Sequence, residues 1–145
     1  MTVNKSIILL FSLFSLSLSA DNFVSIKSNK INMRTGPGFH YPVKWIYICK
    51  NLPLKVIEEF ENWKKVCDIY EDCGWVKSSL LSDKRYVVVK EDTYGYQKQS
   101  TDSKLIMKID KFVVMRIEKC NAKWCLLSSS KRKAWVQKKH IYGAD

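Results

Sequence analysis

The chain has 145 residues, 46% of them hydrophobic, with a formal charge of +11, five cysteines and five glycines. That length admits one ordinary domain or two small ones of about 60 residues. The scattered glycines exclude a phosphate-cradling loop, and the positive charge points to anionic partners or, with equal weight, to solubility alone.

Residues 1–20 read as a leader. Lys5 supplies a basic start, and Ile7 to Leu18 form an apolar run interrupted by Ser12, Ser15 and Ser17, which is the pattern of a cleaved secretory signal peptide. A spanning helix needs about 20 apolar residues, so no transmembrane segment is expected in the mature chain. Small residues at Ser17, Ser19 and Ala20 allow cleavage after Ser19 or Ala20. The expected location is periplasmic or secreted, where disulfides persist and small cores gain most from them. The charge is lopsided: Phe23 to Asp83 holds nine basic against seven acidic residues, and Lys84 to Asp145 fifteen against six.

After the leader come short apolar runs rich in β-branched and aromatic residues: Val43 to Ile48, Leu54 to Phe60, Trp63 to Val66, Leu105 to Ile109, Phe112 to Ile117 and Trp124 to Leu127. Turn residues separate them, among them Gly36-Pro37-Gly38, Asn51 to Pro53 and Asn121-Ala122. This spacing is an all-β signature; helices are expected only as single turns near Lys77 to Leu81 and Lys138 to Tyr142. The runs also repeat. Trp63 maps to Trp124, Trp75 to Trp135, Val76 to Val136 and Leu81 to Ile141, while Leu54 and Ile57 map to Val114 and Ile117 at an offset of 60. Two barrels of about five strands each are expected, over residues 21–83 and 84–145.

The first repeat carries Asn32-Met33-Arg34-Thr35-Gly36-Pro37-Gly38, then a strand, a turn, W-x-x-V at Trp63 and G-W-V at Gly74. This series resembles the bacterial SH3-type domain. The second repeat keeps the tryptophan strand and A-W-V but reads D-T-Y-G-Y-Q-K-Q-S-T-D over 92–102 in place of the N-x-R-x-G-P segment. The resemblance implies two tandem SH3-like barrels used to attach to peptidoglycan or to envelope proteins, and it implies no reaction.

No enzymatic activity and no cofactor are expected. His40 and His140 share no motif, and the carboxylates Glu58, Glu59, Glu61, Glu71 and Asp72 read as a solvated rim among lysines. The cysteine spacings, five residues between Cys67 and Cys73 and four between Cys120 and Cys125, suit neither zinc nor a redox C-x-x-C motif. Each pair is present in one repeat and absent from the other, as cross-strand bridges would be; Cys49, set against Ile109, is expected to stay reduced and buried. Candidate ligand contacts are Tyr41 and Tyr70 together with the basic residues Lys131, Arg132, Lys133, Lys138 and Lys139, which flank Trp135. Trp135, like Trp75, is expected in the core. The favoured partner is peptidoglycan or an envelope protein; the alternative is acidic lipid or nucleic acid of a host or neighbouring cell, with nucleic acid the less favoured.

Overall fold

The computed structural model describes residues 21–144, so the leader expected over 1–20 lies outside the described residues. The first half forms β1 (Phe23–Ile26), β2 (Ile31–Arg34), β3 (Val43–Tyr47), β4 (Pro53–Phe60), β5 (Trp63–Cys67), β6 (Cys73–Lys77) and β7 (Leu81–Ser82). The second forms β8 (Tyr86–Val89), β9 (Thr93–Tyr96), β10 (Leu105–Ile109), β11 (Val114–Cys120), β12 (Trp124–Ser128), β13 (Lys133–Gln137) and β14 (Ile141–Tyr142). Single 3-10 turns, Ser78–Leu80 and Lys138–His140, lead into β7 and β14.

Each half is one seven-stranded antiparallel sheet with the same order, β3-β2-β6-β5-β4-β1-β7 and β10-β9-β13-β12-β11-β8-β14. The count of about five strands is therefore corrected to seven, because β1 and the two-residue β7 join the five longer strands, as β8 and β14 do in the second half. Both ladders are open, with β3 and β7 at the ends of one and β10 and β14 at the ends of the other.

The ladders also correct the repeat alignment. Val24 faces Leu54 where Val87 faces Met115, so Leu54 corresponds to Met115 and not to Val114; Val56, not Ile57, corresponds to Ile117. Tyr47 faces Ile31 where Ile109 faces Thr93, so the partner of Ile109 is Tyr47 and not Cys49. The cause is three turns, each one residue shorter in the second half: β1–β2, β3–β4 and β5–β6 against their counterparts. Cys49 consequently lies past the end of β3, half-buried and not in the core, with its thiol near the Lys50 carbonyl and its pKa pushed up by partial burial.

Two separate cores result, one around Val24, Ile26, Met33, Leu54, Val66 and Val76, the other around Val87, Val89, Met115, Cys125, Leu127 and Val136. Where β2 crosses β6, a side chain on Gly74 would sit 2.5 Å from the Met33 Cγ and 2.8 Å from the Arg34 carbonyl. The second half inverts the sizes: Gly95 replaces Met33 and Ala134 replaces Gly74, keeping the layer filled without overlap.

The halves touch through Tyr142. Its ring meets Phe23 edge-on at 5.1 Å, and its hydroxyl donates to the carbonyls of Cys67 and Asp68. Ser25 donates to the Lys84 carbonyl, and Arg85 lies over the Phe23 ring while donating to the Gly143 carbonyl. Among the described residues no helix is long and apolar enough to cross a membrane.

Candidate ligand groove of the first unit

The segment 35–42 folds back on itself because its residues demand it. Thr35 N–H reaches the Pro42 carbonyl, and the Tyr41 ring lies so close over Gly36 that a Cβ there would fall 2.4 Å from it. Only glycine fits beneath that ring. Arg34, at the end of β2, clamps the loop from inside by donating from Nη1 to the Phe39 carbonyl at 3.2 Å and the Tyr41 carbonyl at 3.0 Å. Hydrogen bonds from a charged donor are the stronger kind, so the arginine of N-x-R-x-G-P fixes the loop's shape.

That clamp holds Phe39 out in solvent, 65% exposed. Its ring meets the buried Trp63 edge-on at 5.1 Å, with the Arg34 guanidinium 5.5 Å and the Lys77 ammonium 4.9 Å from its centre. A cavity of about 210 Å³ opens beside it, lined also by Lys30 and Asn32. An aromatic wall with cations on its rim suits an extended ligand that brings an apolar face and carboxylates. Sequence reading passed over Phe39; the signal available was an aromatic residue directly after Pro37-Gly38, at the exposed turn of a loop.

The residues singled out from sequence fall in several places. Tyr41 props the groove loop through its ring and carbonyl, with the His40 ring tilted against it, centres 4.3 Å apart. Tyr70 lies at the β5–β6 tip, toward the other end of that hairpin from Trp63. Lys131 and Arg132 occupy the exposed β12–β13 tip, and Lys133 begins β13, where its ammonium pairs with Glu118 at 3.5 Å. Lys138 and Lys139 follow the far end of β13, so the two cationic clusters stand about 16 Å apart along the strand and are not gathered into one patch. Trp135 between them is only half-buried, with Lys119 over its ring at 5.5 Å, which corrects its placement in the core; Trp75 is 7% exposed. Strand alternation gives the two tryptophans the same outer face, Trp75 between Gly74 and Val76 and Trp135 between Ala134 and Val136, so their different burial comes from what covers that face in each unit.

Both expected bridges are present, Cys67–Cys73 and Cys120–Cys125. Glu58 and Glu59 pair across the ladder with Lys65 and Lys64. His140 is held by Glu91 through Nδ1 at 2.6 Å and by Gln137 through Nε2. Among the described residues no group of three His, Cys, Asp or Glu side chains is arranged to hold a metal ion.

A family model described as "Bacterial SH3 domain" matches two segments, 27–83 and 95–143, which together cover more than half of the chain. No curated protein matches it. Among solved structures it is similar to NlpC2 and NlpC1 from Trichomonas vaginalis, each at 10% identity and a TM-score of 0.39, covering 85% and 88% of this chain and 48% and 47% of theirs. An NlpC/P60 family protein from Bacillus cereus ATCC 10987 is similar at 11% identity and a TM-score of 0.37, over 84% of this chain and 57% of that one. The chain thus spans about half the length of these solved proteins.

Proposed function

The chain belongs to the bacterial SH3 domain family, and from that premise we propose that it is an exported, non-catalytic binding protein whose first unit recognises peptidoglycan or a protein of the envelope. In this reading residues 21–83 and 84–145 are two SH3-like barrels, each sheet folding over its own core, and 1–20 is a signal peptide removed on export. Two disulfides in so short a chain fit an oxidising periplasmic or extracellular setting.

The observation that carries the reading is Phe39, held in water by Arg34 beside the Lys77 ammonium and the Trp63 edge. An exposed ring rimmed by cations at the mouth of a cavity offers contacts to a ligand's apolar face and to its carboxylates at once. Peptidoglycan stem peptides offer the matching chemistry, carboxylates on a short extended chain.

The test is co-sedimentation of the mature chain with purified peptidoglycan, beside capture from an envelope extract. Phe39→Ala should weaken binding about tenfold while circular dichroism stays unchanged, as expected for an exposed aromatic anchor. Replacing Lys131, Arg132 and Lys133 by glutamine tests the alternative. If that triple variant, and not Phe39→Ala, abolishes binding, and binding falls steeply between 50 and 200 mM salt as phosphate recognition does, the acidic-lipid or nucleic-acid reading replaces this one.

A further inference from the structure

The β5–β6 tip has the opposite chemistry to the groove. In a chain of net charge +11, Asp68, Glu71 and Asp72 gather within five residues, beside the exposed end strand β3. Asp68 organises the tip: one carboxylate oxygen accepts the N–H groups of Tyr70 at 2.9 Å and Asp72 at 3.0 Å, and the other accepts the Tyr47 hydroxyl at 2.8 Å. These three bonds fix the Asp68 carboxylate against a cavity of about 200 Å³ whose other walls are Trp45, Ile46, Tyr47, Tyr70 and Asp72.

The rings here are not core. Trp45 is 49% exposed and Tyr70 66%. The second unit adds Phe112, whose ring lies 6.3 Å from that of Tyr70. Phe112 holds a φ of 68°, a left-handed conformation that a bulky residue seldom adopts, at the ladder position where the first unit has Asn51. The surface already draws ammonium groups from its own chain: Lys111 sits 4.7 Å from the centre of the Phe112 ring, and Lys44 lies 3.9 Å from Asp72 while donating to the Cys73 carbonyl.

We propose that the cavity between Trp45, Tyr70 and the carboxylates of Asp68 and Asp72 is a binding site for an organic ammonium group. Electron-rich ring faces attract a cation, and nearby carboxylates add charge without forming a dry, closed pocket. The Lys44–Asp72 pair is exposed on both sides, so it is weak and an incoming ammonium displaces it readily. This site is independent of the Phe39 groove: Trp63 and Cys67 mark the two ends of β5, about 13 Å apart.

The experiment uses the mature chain, following the Trp45 indole and Tyr70 ring signals by NMR. The primary-ammonium probe is Nα-acetyl-lysine methylamide, with its norleucine analogue as neutral isostere; the quaternary probe is choline, with 3,3-dimethylbutanol as isostere. Either ammonium should move both signals at concentrations of about 10 mM, and the neutral isosteres should not; the stronger of the two identifies a peptide amine or a choline-type headgroup as the source. Asp72→Asn and Tyr70→Leu should each weaken the response about three- to fivefold, and Lys44→Ala should strengthen it by a similar factor. Equal responses to the isosteres, no response to either ammonium, or a weaker response in Lys44→Ala would overturn the proposal. None of these outcomes depends on whether the Phe39 groove binds peptidoglycan.

Discussion

At the ladder position where the second unit joins Cys120 to Cys125, the first pairs Glu59 with Lys64. Where the first joins Cys67 to Cys73, the second sets Ser128 opposite Lys133 and ties both to Glu118, at 2.6 and 3.5 Å. Each unit thus has one covalent and one polar tie between neighbouring strands, at exchanged places. A hairpin rung close to solvent accepts either, because what the fold needs there is a cross-strand contact of the right span, not a particular chemistry. The grooves do not exchange so freely. Arg34 is matched by Tyr96 and Lys77 by Gln137, and Tyr96 packs edge-on against Trp124 at 6.1 Å. The unit with the larger net charge therefore lacks these two groove cations and carries most of its lysines on tips and turns.

The largest expected contrast lies in the matched tryptophans. Trp75→Ala should cost about 3–5 kcal/mol, as for a buried aromatic, and Trp135→Ala clearly less, measured by urea denaturation of each variant. Equal losses would mean that the outer faces of the two sheets are equally covered. Removing either bridge by double serine replacement should cost about 2 kcal/mol, since short loops restrict the unfolded chain only modestly; similar midpoint shifts for the two pairs would support their equivalence as ties. The sharper form of that test is Glu59→Cys with Lys64→Cys. The rung should oxidise spontaneously and raise stability by up to about 2 kcal/mol, whereas failure to close would show that the rungs are matched in register but not in geometry.

A smaller effect is expected at Phe112. Replacing it with asparagine, the residue of the corresponding Asn51, should relieve left-handed backbone strain and stabilise by about 1 kcal/mol; a loss instead would mean that its ring contact with Tyr70 outweighs the strain. The smallest effect concerns pH. Glu91 is held below the ordinary carboxylate range by the hydrogen bond from His140 and then by its charge. A depressed folded-state pKa gives stability that is present above the unfolded value and is lost as pH falls through the folded one. Melting temperatures of the wild type and His140→Gln should therefore differ near pH 6 and converge toward pH 3; a gap that persists at low pH would assign the difference to packing.

The sequence by itself determined the all-β class, the duplication, both cysteine pairings and the two single-turn helices, because strand alternation, turn residues and paired cysteines are local features written in adjacent positions. Tertiary structure alone decided the register of the repeat. The β5–β6 deletion shows in the sequence as the change of offset between Trp63–Trp124 and Trp75–Trp135, but those in the β1–β2 and β3–β4 turns have no periodicity to reveal them, and only the ladder shows that Met115 corresponds to Leu54 and Ile109 to Tyr47 instead of Cys49. It also decided that Trp135 faces outward while Trp75 is covered, since matched positions in a strand differ in burial only through what packs over them. The groove was half legible: N-x-R-x-G-P announced a shaped loop, but that Arg34 would turn inward to clamp two carbonyls and leave Phe39 in water follows from contacts five and seven residues away in the chain. The ammonium cavity was not legible at all, because Trp45, Tyr47, Tyr70 and Asp72 meet only where β3 passes the β5–β6 tip.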